Sequence, residues 1–147
     1  MQASPARTVL IVEPDAESRT ALRSALERDG FLVVSTAGAA DALPLVEGPG
    51  ISLVVTELYL ESGSDRCLLH TLRESSYRSE ARVLAYTRHS KAEDRAWAIA
   101  EGADGYVLKK NGEAHLLDVV RRLSSRTRRK RDASRAAAKR RRHKDVS

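Results

Sequence analysis

Four side chains of this 147-residue chain carry groups that could act together on a phosphoryl group: Glu13, Glu57, Thr87 and Lys109. Each follows a short apolar run: Thr8–Val12, residues 51–55, residues 81–86 and Gly105–Leu108. A carboxylate can take a phosphoryl group as nucleophile. A hydroxyl and an ammonium can bind its oxygens, and a second carboxylate can hold Mg²⁺. Each residue also has an ordinary use. Glu57 could be a strand-end acid paired with Lys109, Thr87 a strand-end hydroxyl, and Lys109 a surface cation. Joint chemistry requires that the fold bring the four run ends to one place.

The runs are short, rich in β-branched residues and bounded by turn residues, as in strands buried on both faces of a parallel sheet. Helical patterns separate them. Asp15 is placed to cap a first helix, which Pro14 suits, with Ala21, Leu22, Ala25 and Leu26 at helical spacing and Gly30 as its stop. Residues 31–34 form a short strand. A second helix runs from Ala37 through Leu43, Leu45 and Val46, weakened by Pro44 and ended by Gly48-Pro49-Gly50. Ser62, Gly63 and Ser64 mark a loop, and Cys67, Leu68, Leu69 and Leu72 fit a third helix. Ser90 with Glu93 has the capping-box spacing for a fourth, with Ala96, Trp97, Ile99 and Ala100 as its buried side and Gly102 closing it. Asn111 or Gly112 opens a fifth, striped by Leu116, Val119, Val120 and Leu123. Five strands alternating with five helices predict an α/β fold, a doubly wound five-stranded parallel sheet. The predicted strand order is 2-1-3-4-5. In that order strands one, three, four and five are neighbours, so the four run ends share one cleft.

In these residues the chain resembles the receiver domain of bacterial two-component response regulators, over about Thr8 to Leu123. Val9-Leu-Ile-Val12 followed by acid resembles the family's first strand and acidic cluster. Leu53-Val-Val-Thr-Glu57-Leu-Tyr-Leu60 resembles its phospho-acceptor strand and loop, and Tyr86-Thr87 its switch hydroxyl. Gly102-Ala-Asp-Gly-Tyr-Val-Leu-Lys109 sets Gly, Ala, aromatic and Lys in the family's order. The resemblance implies a flavodoxin-like (βα)₅ domain at residues 6–123 and an acidic pocket of Glu13 and Asp15. It also implies switch and phosphate-sensing positions at Thr87, Tyr106 and Lys109, with Tyr106 swinging between inward and outward rotamers in concert with Thr87.

The chain departs from the family pattern at the chemistry itself. The acceptor position, Asp in the family, is Glu57, whose extra methylene moves the carboxylate out by roughly 1.5 Å. Mg²⁺ demands near-ideal octahedral geometry, and phosphoryl transfer depends on positioning. Pro14 stands where the family has a second acid, with Asp15 one residue later. Glu61 and Lys110 stand where proline is common. The expectation is therefore an atypical single-domain response regulator in phosphorelay signalling. It is not an enzyme; it acts by protein–protein contacts, independently of phosphorylation, with no resident cofactor or metal and weak or absent Mg²⁺ binding. Glu57 is either a structural partner of Lys109 or a built-in mimic of the phosphorylated state. The implied partner is a kinase, an output protein or a second copy, met on the face of the fourth helix, fifth strand and fifth helix. Two alternatives stand beside this: a phospho-accepting, Mg²⁺-dependent receiver, and a nucleic-acid-associated protein.

The last alternative comes from the C-terminus. Residues 121–147 hold 13 of the 26 Lys and Arg but 2 of the 20 acids, a net of +11; residues 1–120 carry −5. The 124–147 tail concentrates this charge in Arg128, Arg129, Lys130, Arg131 and in Lys139, Arg140, Arg141, Arg142. Like-charge repulsion opposes an isolated helix there, and the charge suits a non-specific nucleic acid or other polyanion. No base-reading motif accompanies it. A single Cys excludes an intrachain disulfide. No run approaches the roughly 20 apolar residues of a membrane helix. A cytoplasmic location is expected, without membrane contact. Cys67 reads as a small core residue and Trp97 as a core or interface aromatic. His70, His89, His115 and His143 lack metal-ligand spacing.

Overall fold

The computed structural model describes residues 8–47, 50–60, 68–69, 72 and 81–125. Its elements are β1 (Thr8–Val12), α1 (Ala16–Arg28), β2 (Leu32–Thr36), α2 (Ala39–Glu47), β3 (Ile51–Thr56), β4 (Arg82–Thr87), α3 (Ala92–Ala100), β5 (Gly105–Leu108) and α4 (Glu113–Ser125). A short 3₁₀ turn, Lys109–Asn111, links β5 to α4. Leu68, Leu69 and Leu72 are helical as predicted, while Cys67 lies outside the described residues. So do His70, His143 and the 126–147 part of the tail.

All strand pairings are parallel, in the order β2-β1-β3-β4-β5. The central strands β1, β3 and β4 are mostly buried because helices cover both faces, while the edge strand β2 is only partly covered. Alternate side chains sort into two cores. Leu10, Val12, Val54 and Ala85 pack with Ala42 and Val46 of α2, with Leu68 and Leu69, and with Ala98 of α3. Val9, Ile11, Leu53, Val55, Leu84 and Val107 pack with Leu22 and Leu26 of α1 and Leu116, Val120 and Leu123 of α4. β5 approaches α4 closely through Gly105, where an added Cβ would lie 3.0 Å from Leu84 Cδ1 and 3.4 Å from Leu123 Cδ1.

Gly30 ends α1 as predicted. At φ +94° it allows the Gly30 N–H to reach the Glu27 carbonyl and the Phe31 N–H to reach Leu26, which closes the helix and turns Phe31 into the core.

Several expectations need correction. α3 starts at Ala92 after an Lys91 cap that makes no side-chain hydrogen bond, so Ser90 lies one residue too early for the capping box. Only Ala98 of α3 is buried; Trp97 and Ile99 are 36% and 48% exposed. One small residue suffices there because α3 packs near the edge of the sheet, mainly against β5. Helix α2 runs through Pro44, and its buried side is Ala39, Ala42 and Val46, leaving Leu45 exposed. The second strand is Leu32–Thr36 rather than 31–34, since Phe31 belongs to the close of α1. α4 spans Glu113–Ser125.

Buried Arg82 opens β4, a residue the apolar reading of that strand passed over. Its guanidinium donates to the Leu123 carbonyl at 2.7 Å, tying the sheet to the last turn of α4. Among the described residues no helix is long and apolar enough to cross a membrane.

Candidate functional site

The register brings the strand ends level. Val12 of β1 pairs with Thr36 and Thr56, and the Glu13 and Glu57 N–H groups continue the ladder to the Thr36 and Val12 carbonyls, each at 3.0 Å. Glu13 and Glu57 therefore leave neighbouring strands at the same height. Thr87 closes β4 opposite Leu108, and Lys109 follows it. All four side chains that the sequence places at strand ends come together through hydrogen bonds and ion pairs.

They meet as a closed network. The Thr87 hydroxyl, fully buried, donates to Glu57 Oε1 at 2.5 Å. Lys109 Nζ lies 2.9 Å from Glu57 Oε2 and bonds Glu13 Oε1 as well. The side chains of Glu13, Glu57 and Lys109 are only 7%, 13% and 17% exposed. Burial alone pushes the Lys109 ammonium towards deprotonation; the Glu13 and Glu57 carboxylates outweigh it and hold the group above its ordinary value. Two carboxylates and one ammonium leave one net negative charge in a nearly closed site.

Asp15 is turned elsewhere. It is the N-cap of α1, with Oδ2 accepting from the Ser18 N–H at 2.8 Å, and that bond first of all holds its carboxyl below the usual range. Its own N–H donates to Glu13 Oε2 at 3.3 Å. Arg19 secures the turn from below, donating to the Glu13 carbonyl at 2.8 Å and the Pro14 carbonyl at 3.3 Å.

This donor set does not fit Mg²⁺. An ammonium stands between the two carboxylates, Pro14 offers no side-chain ligand, and Asp15 is spent on the helix end. Among the described residues no three His, Cys, Asp or Glu side chains cluster as metal ligands.

The network continues to the surface. The His89 N–H donates to Thr87 Oγ1 at 3.3 Å, and the half-buried Tyr106 donates through its hydroxyl to the His89 carbonyl at 2.7 Å. Hydrogen bonds thus run from Glu57 through Thr87 and His89 to Tyr106. Tyr59, two residues past Glu57, meets the His89 ring edge-on at 4.8 Å and stacks on Trp97 at 6.0 Å, while its hydroxyl donates to Asp94 at 2.5 Å. Sequence reasoning missed this aromatic group, because nothing local links Tyr59 to a helix some forty positions away. Below it, α3, β5 and α4 enclose a cleft of about 580 Å³ whose walls include Lys91, Arg95, Tyr106, His115, Val119 and Arg122.

Comparison with known proteins agrees with this architecture. A family model described as the response regulator receiver domain matches residues 9–121. The phosphate regulon transcriptional regulatory protein PhoB of Escherichia coli (strain K12) is 29% identical over 123 residues, covering 81% of this chain and 54% of the relative. The transcriptional regulatory protein PmrA of Pectobacterium parmentieri is 31% identical over 118 residues, covering 80% and 52%. The chain thus spans about half the length of these regulators. Among solved structures, a response regulator receiver protein from Pseudomonas putida superposes with TM-score 0.71 at 26% identity, covering 82% of this chain and 99% of the other. A CheY-like receiver domain protein from Methanospirillum hungatei JF-1 gives 0.70 at 22%, covering 80% and 93%, a likeness of fold.

Proposed function

Because the chain belongs to the response regulator receiver domain family, we propose that it is an atypical receiver that signals through protein contacts and does not depend on phosphorylation of its acceptor position. One observation carries this reading. Both oxygens of Glu57 are already engaged, Oε1 by Thr87 and Oε2 by Lys109. A phosphoryl group brings a charge of about −1.5 to −2 and three acceptor oxygens. Here the hydroxyl and the ammonium that would receive it are bound to a fixed carboxylate. Glu57 is held in place by both partners, and the donor set around it, with Lys109 between the carboxylates and Asp15 on the helix end, does not suit the Mg²⁺ that would organise in-line transfer.

The signal is read where the network surfaces. Thr87, His89 and Tyr106 link Glu57 to the face of α3, β5 and α4, which are the expected fourth helix, fifth strand and fifth helix. The cleft on that face and the exposed Trp97 and Ile99 of α3 supply concave and apolar surface a partner needs. The partner is a signalling protein, a kinase or an output protein, or a second copy of the chain.

Incubation with a small phosphodonor and Mg²⁺, followed by intact-mass measurement, tests the proposal. The expected result is no phosphoryl adduct on the protein and a clear one on a Glu57→Asp, Pro14→Asp variant. Stoichiometric phosphorylation of the unchanged protein at Glu57 would establish instead a phospho-accepting receiver. The basic tail favours one further activity, non-specific contact with nucleic acid, which residues 124–147 provide by charge alone.

A further inference from the structure

A second cleft, of about 460 Å³, lies between α1, the end of β4 and the start of α4, and shares Lys109 with the acidic network. Its apolar surface comes from Leu22 and Tyr86, and its charged surface from Arg88, Lys109, Lys110 and Glu113. The volume falls within the roughly 300–1,000 Å³ of small-molecule sites.

The charges are unevenly satisfied. Lys109 is committed to Glu13 and Glu57. Arg88 and Lys110 are exposed and have no hydrogen-bond or ion-pair partner among the described residues. Two cations without a hydrogen-bonded or ion-pair partner, Arg88 acting on Asp15 only through space, thus line a concave surface that also holds an aromatic ring. Glu113 has an exposed carboxylate whose ion pair is a long one, 3.8 Å to Arg28, so it remains able to accept a hydrogen bond.

We propose that this cleft binds a small anionic ligand with a flat ring, of the mononucleotide class, with its phosphate on Arg88 and Lys110, its ring against Tyr86 and Leu22, and a donor group on Glu113. The chemistry selects this class. Arg presents a planar fork and Lys a point charge, the pair that recognises phosphate oxygens. Tyr86, with Lys109 Nζ 5.8 Å from its ring centroid, brings aromatic surface to the cleft wall that a flat ring can pack against. Inorganic phosphate would use the cations and leave the apolar wall bare, and an apolar ring alone would leave the cations without an anion. A duplex is broader than the cleft and would reach Arg88 and Lys110 without touching Tyr86.

The test is a titration of the full-length ¹⁵N-labelled protein followed by amide chemical shifts, with adenosine 5′-monophosphate, adenosine and inorganic phosphate as separate probes. Position-specific shifts separate the cleft from the basic tail, which also attracts phosphate. The expected result is saturable shifts at Leu22, Arg88, Lys110 and Glu113 with the monophosphate. Adenosine and phosphate should each bind about tenfold more weakly or worse, and Arg88→Ala with Lys110→Ala should reduce monophosphate affinity by at least about tenfold. Unchanged shifts at Val9, Ile11 and Leu53 in the double variant would show that it keeps its fold. Equal response to phosphate alone, shifts confined to residues 124–147, or full affinity in the double variant would each overturn the proposal.

Discussion

The Thr87 hydroxyl donates to Glu57 Oε1 at 2.5 Å across the gap between β3 and β4, and the same Thr87 oxygen accepts the His89 N–H at 3.3 Å. Thr87 is therefore the joint between the acid cluster and the surface. A charged acceptor makes the first bond strong, and the full burial of Thr87 denies its hydroxyl water as a substitute.

Thr87→Val keeps the shape of the side chain and removes the donor. It should destabilise the domain by about 1.5–3 kcal/mol. The readout is a lower urea midpoint at unchanged slope. The His89 amide should exchange faster, having lost its acceptor. An unchanged midpoint would mean that Thr87 does not hold Glu57 in solution.

Lys109→Met leaves Glu13 and Glu57 facing each other without their cation. Breaking a buried pair by removing one partner costs about 3–5 kcal/mol, and the residual exposure here places this change near the lower end. Urea denaturation of both proteins at neutral pH checks this; equal midpoints would mean that Lys109 does not hold the two carboxylates together.

The Tyr106 phenol is pushed up to about 12 from 10.0, first by burial and then by the charges of Asp94 and Glu57. A folded value above the unfolded one means the folded state holds that proton more tightly. The resulting stabilisation is complete below pH 10 and is lost as pH rises from there through about 12. Tyr106→Phe should flatten the loss of stability over that window and remove one phenol from the most alkaline part of the absorbance titration. Identical alkaline limbs in the two proteins would show that Tyr106 is not held in this environment.

Mg²⁺ should bind the unchanged protein weakly or not at all. Changing Pro14→Asp and Glu57→Asp together should restore a site by more than the sum of the single changes, since both ligands serve one ion. Calorimetry of the four proteins measures this. Tight binding by the unchanged chain would contradict the fit argued from Lys109 and Asp15.

The tail should bind nucleic acid through phosphates alone. With about 6–10 phosphates neutralised, affinity should fall by roughly 10³ to 10⁵ between 50 and 200 mM salt, with no preference among duplex sequences. Truncation after Ser125, where α4 ends, should abolish binding and leave the fold intact. Full affinity in the truncated protein, or no salt-dependent shift with any duplex or RNA, would reduce the tail to a solvated end.

The sequence by itself determined the sheet, its order and the four residues at its site. Runs such as Val9–Val12 and 53–55 are apolar throughout, which only strands covered on both faces require, and right-handed crossovers leave few ways to order five of them. Strand order then places Glu13, Glu57, Thr87 and Lys109 together, because each stands at or just past the C-terminal end of its strand. What the tertiary structure decided is which group bonds which. Asp15 and Glu13 are two positions apart, yet one caps α1 and the other holds Lys109, a choice set by side-chain direction at the turn rather than by residue type. The exposed face of α3 and the Tyr59–Trp97 stack were equally hidden. Helical periodicity shows where apolar residues recur, but how much of a helix is covered depends on the neighbour it packs against, and at the sheet edge that neighbour covers little more than Ala98.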